Sequence, residues 1–311
     1  MEMMKKKFIP KKVKPQDFDR WGTVEISTWT AQVYKRYNDE LERYLNSQIY
    51  AKKFVYNQLG VNEISLKDKT KEVFDTKDTY VKKLKTVEMW SKSYNKSENW
   101  LNLNALMSIS SNFETYLDGV IRLAIKSDPG LLLGQSRSVD GVNILKNGNY
   151  KLLNIDDILV GITKGTWSAR MSNIESVFGF LPTTLSSSIG KLDAIRILRN
   201  DVGHAFGRGI EASRIHHTKN VLEIQTLSRN RLLKFQRLLW AIVRDFDEFL
   251  YKNHIGAFQY LYSYHEFYPT VADQNHVNAR AALFKQYVGQ SGSIPIGKKY
   301  YKDLCSFYEK I

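Results

Sequence analysis

Apolar residues recur three and four positions apart through most of this chain, and only six prolines interrupt its 311 residues. That spacing is the one-sided stripe of an α-helix, which repeats every 3.6 residues, rather than the alternation of a strand. The fold class expected is therefore all-α. The clearest instance is "SENWLNLNALMSISSNFETYLDGVIRLAIKSDPG", where Leu103, Leu106, Phe113, Leu117, Val120, Ile121 and Ala124 share one face and "SDPG" stops the helix. Upstream, Thr28 to about Leu59 reads as one helix or two, with Tyr34, Tyr37, Leu41, Tyr44, Leu45 and Ile49 on one side. Residues 61–97 are highly charged and weakly periodic, as expected of an exposed connector or a solvated helix. A loop holding "GQSRSVDGVNILKNGNY" follows the clear helix. Further helices are expected over 156–162, 167–178, 190–205, 227–251, 276–288 and 298–310. A boundary is expected near residue 97, with a basic N-terminal tail and helical extension before it (1–96); a helical domain (97–252) and an aromatic C-terminal helical extension (253–311) follow.

Charge narrows the partners. The formal net charge of +14 makes a polyanion the leading partner class, with nucleic acid ahead of an acidic membrane or an acidic protein. The run "MEMMKKKFIPKKVKP" reads as a phosphate-binding arm or as a disordered basic tail. The single cysteine, Cys305, leaves no intrachain disulfide framework and no cysteine-based zinc site, so a reducing cytoplasmic location is the default expectation. Apolar runs such as "RLLWAIV" stop well short of the ~20 residues that cross a bilayer, and no signal-peptide core follows the basic start. No membrane partner is expected. His216 and His217 diverge on a helix, and neither makes metal-ligand spacing with His254, His265 or His276, so no metal and no cofactor is expected.

The stretch "RNDVGHAFGR", 199–208, holds the candidate chemistry. At 100° per residue, Ile195, Leu198, Val202, Ala205 and Phe206 form the inward stripe. Asn200 and His204, four apart, are neighbours on the opposite side, and Asp201 and Arg208 fall outward with them. Arg199 lies on the flank, where its stem can rest on apolar surface while its head emerges. Gly203 costs a helix about 1 kcal/mol, sensible if a phosphate or another helix must come close, and equally if the helix is ending.

"RNDVGH" matches the Arg-Asn-x-x-x-His signature of the HEPN superfamily, α-helical domains that include metal-independent ribonucleases. "KLDAIRILRNDVGHAFGR" resembles the helix that carries the signature, and "NALMSISSNFETYLDGVIRLAI" is similar to the early core helix of such domains. The resemblance spans roughly residues 97–252. It implies a HEPN-like helical bundle core flanked by additional N- and C-terminal helical segments. It also implies that Arg199 and His204 are the catalytic pair, with Asn200 beside them. Two such helices usually meet across a homodimer, pooling two Arg–His pairs around one cleft. The RNA substrate would be cut through its own 2′-hydroxyl, and free-standing members commonly act as toxins or phage-defence effectors. No nucleotidyltransferase pattern is present, so any antitoxin or regulatory chain would be separate.

The residue types suit that chemistry. Driving a 2′-hydroxyl onto phosphorus needs a proton acceptor, a proton donor and positive charge on the crowded phosphate. Histidine supplies either proton role near neutrality, and arginine a permanent planar fork for phosphate oxygens. Glu114 is expected either to touch and orient Arg199 or to be an ordinary half-buried carboxylate. Asp201 reads as a surface residue or a helix-local pair rather than a catalyst. Arg196, Arg208, Arg214 and Lys219 are either a phosphate-tracking patch or plain surface charge. Tyr260, Tyr262 and Tyr264 read as core, with base stacking as the alternative. Two rivals to cleavage stay open: a HEPN module that binds RNA or a nucleotide without cutting, and a helical interaction subunit.

Overall fold

A computed structural model describes residues 18–75, 83–148, 150–215, 219–274, 276–289 and 296–311. The basic run before residue 18, and His216 and His217, lie outside the described residues. Among those described the chain is all-α, with no strand. Among the described residues thirteen α-helices follow one another: α1 (Trp29–Val61), α2 (Thr70–Val73), α3 (Val87–Ser127), α4 (Gly141–Asn147), α5 (Ile155–Thr163), α6 (Trp167–Phe178), α7 (Thr183–Ser186), α8 (Ile189–Ala205), α9 (Ile210–Ser213), α10 (Arg229–Leu250), α11 (Phe258–Phe267), α12 (Val277–Gly289) and α13 (Lys298–Lys310). No helix among the described residues is long and apolar enough to cross a membrane.

The organising element is α3, which packs against α1, α5, α8 and α10. All seven residues of its expected stripe are buried. Along α10, Leu232, Phe235, Leu239, Ile242 and Phe246 are buried likewise, the pattern of an amphipathic helix laid on a core. Each such side chain contributes about 1.5–3 kcal/mol when fully removed from water.

Several expectations are corrected. The helix expected from Ser97 begins at Val87, where the Thr86 hydroxyl accepts from the Met89 amide as an N-cap. Its first turns show weak periodicity because they bury little beyond Val87 and one small aromatic cluster, Trp90 against Tyr94, Tyr56 and Phe74. Within α1 only Ala31, Tyr34 and Asn38 are buried, and Tyr37, Tyr44 and Ile49 of the expected stripe are exposed. The distal turns of α1 leave the main core and lie along the first turns of α3, with Tyr56 against Trp90 and Lys52 paired to Glu98, so much of their surface faces solvent. The stretch expected to be a loop before residue 150 contains α4, capped by the Asp140 carboxylate on the Val142 amide. Between the two expected C-terminal helices and α10 stands α11, which buries Tyr260 and Tyr264 in the core and leaves Tyr262 half-buried.

The boundaries expected at 97 and 253 both fall inside helical segments, the second within a π-turn at Tyr251–Ile255. One continuous core takes in residues of α1, α3, α10, α11, α12 and α13. The buried Arg20 guanidinium ties the ends together. It donates to Ile255 O (3.0 Å), to Ser127 O and Oγ (2.7 and 2.8 Å) and to Asp140 Oδ1 (2.9 Å). The turn it reaches needs a glycine: Gly256 has φ +52°, and a Cβ there would come within 2.7 Å of Arg20 O.

Candidate active site

The motif sits on the last two turns of α8, which runs antiparallel along α3. Arg199 meets Glu114, Gly203 faces Met107, and Phe206 stacks on Trp100 with ring centroids 4.2 Å apart. The three α3 partners are seven residues apart, two helical turns each, so a single face of α3 supports the whole motif.

Arg199 Nη2 lies 3.3 Å from Glu114 Oε2, and its Nη1 donates to Asn200 Oδ1 at 3.1 Å. The Glu114 contact is therefore present. The other carboxylate oxygen, Oε1, is held by Arg170 Nη1 at 3.4 Å and Nη2 at 3.5 Å. Arg170 is buried, its Nε bonded to Gly165 O at 3.2 Å and its guanidinium 4.7 Å over the Trp167 ring. Burial pulls the Arg170 pKa down, and Glu114 opposes that shift. Arg170 thus fixes Glu114 from the interior, and Glu114 fixes Arg199, which keeps 33% of its side chain exposed.

Sequence reasoning missed Arg170. Its signal was there: it falls three residues after Trp167 and one before Met171, inside the apolar stripe of α6. An arginine in a buried stripe needs a carboxylate, and Glu114 supplies it.

His204 is exposed, on the side where the helical wheel sets it, and its imidazole has no hydrogen-bond partner among the described residues. Gly203 beside it is exposed too. A methyl group added there would have only the Met107 sulfur within 4 Å, at 3.9 Å, so nothing among the described residues requires a glycine. Five residues along an α-helix separate Arg199 from His204 by ~140° of rotation. One protomer therefore presents the two groups on diverging sides of α8.

Asp201 corrects the wheel reading. It is buried, accepting from Ile210 N at 3.3 Å and from the Gln225 side-chain amide. Its backbone carbonyl receives the Gly207 amide at 2.9 Å. The wheel placed it outward because it could not see residues 219–228 folding back over the end of α8. Asn99 and Asn102 of α3 fasten that segment through Gln225 and Leu227. Phe206, expected inward, has φ +53° and is exposed apart from its stack on Trp100, because the helix ends at Ala205.

The four outlying cations divide. Arg208 Nε donates to Leu222 O at 2.7 Å, a structural role in the same fold-back. Arg196 pairs with Asp193 at 2.8 Å. Arg214 and Lys219 are exposed. No group of three His, Cys, Asp or Glu side chains suited to a metal is assembled among the described residues.

A second cluster joins Ser136, His254 and Asp128, but its geometry is not that of a proton relay. Ser136 Oγ donates to Asp128 Oδ2 at 2.7 Å, and both groups approach the same ring nitrogen, His254 Nδ1, at 3.4 and 3.0 Å. A relay needs nucleophile and carboxylate on opposite ring nitrogens. The imidazole is buried against Phe178 and Phe249, so the cluster is structural.

A scan against protein-family models finds no match to this chain, and searches of curated proteins and of solved structures find none either.

Proposed function

We propose that the chain is a metal-independent RNA endonuclease of the HEPN type, working as a homodimer whose α8 helices face each other, with a toxin or phage-defence role. The observation that carries the reading is an asymmetry on α8. Arg199 is anchored through Glu114 to the buried Arg170, while His204 stands exposed with no partner on the same helix. A surface histidine with no partner of its own can be reached by a substrate; an arginine held by a carboxylate is pre-oriented for phosphate oxygens.

In this reading an imidazole at His204 accepts the 2′-hydroxyl proton, and the 2′-oxygen attacks the adjacent phosphorus. The P–O5′ bond breaks, leaving a 2′,3′-cyclic phosphate, and the departing 5′-oxygen takes a proton from an imidazolium. Arg199 carries the charge of the pentacoordinate phosphate. The ~140° divergence within one protomer is what calls for a second copy, whose α8 brings its own pair to the same cleft. The open surface at Gly203 supports a close approach, and the net charge of +14 supports a polyanionic substrate.

The test is an RNA oligonucleotide and its counterpart carrying a single 2′-deoxy sugar at the cleaved position. Cleavage of the first only, with a 2′,3′-cyclic phosphate on the product, is expected. Cutting of the 2′-deoxy link would exclude the mechanism.

A further inference from the structure

Beyond the motif, a concavity lies where the distal turns of α1 cross the first turns of α3, beside the start of α10. It has a volume of about 440 Å³, within the ~300–1,000 Å³ range of ligand sites. Leu45, Ile49 and Leu101 supply apolar lining, and two tyrosines, Tyr56 and Tyr94, stand in the wall. Trp90 braces both from behind, with centroids 5.7 Å from Tyr56 and 5.0 Å from Tyr94, the latter stacked. The rings are held in place before any ligand arrives.

The polar part of the lining is cationic. Lys52, Lys53 and Arg229 face a single carboxylate, Glu98, which Lys52 already pairs at 2.6 Å. Lys53 is exposed and makes no ion pair among the described residues. Arg229 feels the Glu42 carboxylate through space but forms no ion pair with it. Its Nη2 reaches only the neutral Asn46 amide oxygen, at 3.4 Å, and its Nη1 is shut off from solvent with no hydrogen-bond partner. Such a guanidinium calls for an anion. Gln48 and Asn57, both lining the cavity, bring amide donors and acceptors that no other described residue uses.

An occupant matching this lining has a flat aromatic body with hydrogen-bonding edges and a phosphate-sized negative charge. A fatty acid would satisfy the apolar lining and the cations but leave the amides and braced rings without a role. We infer that the cavity between α1 and α3 binds a phosphorylated nucleoside, its base against Tyr56 and Tyr94 and its phosphate toward Lys53 and Arg229. The nucleotide is either free or an unpaired residue of an RNA strand. The inference does not depend on whether the chain cuts RNA.

Calorimetric titration of the full chain with AMP, GMP, CMP and UMP, beside the unphosphorylated nucleosides, tests it. Saturable binding of at least one nucleotide below about 1 mM is expected, about tenfold or more tighter than its nucleoside. Lys53→Glu and Arg229→Gln should each weaken it by about tenfold, and melting curves establish that both variants fold; Lys53→Glu alters only an exposed side chain. Displacement of the bound nucleotide by a hexaribonucleotide, offered to His204→Ala protein so that it stays intact, assigns the site to an RNA strand. No displacement assigns it to a free nucleotide. Absence of saturable binding by all four, or binding unchanged in both variants, overturns the inference. His204-dependent RNA cleavage without nucleotide binding would overturn this site and leave the endonuclease reading standing; nucleotide binding without cleavage would do the reverse.

Discussion

Gly203 separates what the fold needs from what the site needs. In an exposed helical position with open space around it, glycine is worse than alanine by about 0.5–1 kcal/mol. Gly203→Ala should therefore raise the melting temperature, and it should cut RNA cleavage by about tenfold or more, because a methyl group would stand where a phosphate or a second α8 comes close. Melting curves beside cleavage rates check this; a variant that is more stable and fully active would make Gly203 a residue with no role at the site. Glu114 answers a different question. Glu114→Gln removes the charge shared by Arg170 and Arg199, leaving a buried guanidinium without its counterion. Stability should fall by about 1–3 kcal/mol and cleavage by about tenfold or more. Full activity in Glu114→Gln protein would remove the carboxylate from the site.

At the scale of elements, the joint between α1 and α10 carries a pH signature. Asp247 on α10 accepts from the Thr28 amide at 2.8 Å and its hydroxyl at 2.5 Å, while that same hydroxyl caps α1 through Ala31 N. Burial lifts the Asp247 carboxyl to about 6, against the opposing hydrogen bonds from Thr28 and Tyr116. Its value is higher folded than unfolded, so this group favours folding fully below pH ~4 and the contribution is lost as pH rises through about 6. The amount is about 2–3 kcal/mol. Chemical unfolding at pH 4.5 and 7.5, wild type beside Asp247→Asn, should show that loss in the wild type and a flatter profile in the variant; identical profiles would contradict it. The same scale shows what the sequence could reveal. α3 and α10 were legible because their stripes are long and uninterrupted. The first turns of α3 were not, since beyond Val87 and one aromatic cluster they stay exposed and charged. The wheel set His204 outward, where it is, because exposure on a helix is a local property. It failed for Asp201, because residues 219–228 cover that side and their path depends on Asn99 and Asn102, far away in sequence. Tertiary cover of a helix end leaves no periodic trace.

Across the whole molecule, one core joins segments that the sequence presents as three. Arg20 is the clearest link, bonding the end of α3, the cap of α4 and the turn after α10 from a position before α1. Arg20→Ala should destabilise the protein by about 3–5 kcal/mol, with both ends lost in one cooperative transition; two separate transitions in the wild type would mean independent domains instead. On this body the motif helix is supported by α3 and α6 and covered at its end by residues 219–228, while the surface at Gly203 and His204 stays open. Purified protein incubated with total RNA in the presence of a chelator, wild type beside His204→Ala, decides whether α8 carries a metal-independent ribonuclease. Cleavage that resists the chelator and disappears in the variant is expected. Cleavage that persists in His204→Ala, or RNA left intact by the wild-type protein, would contradict it.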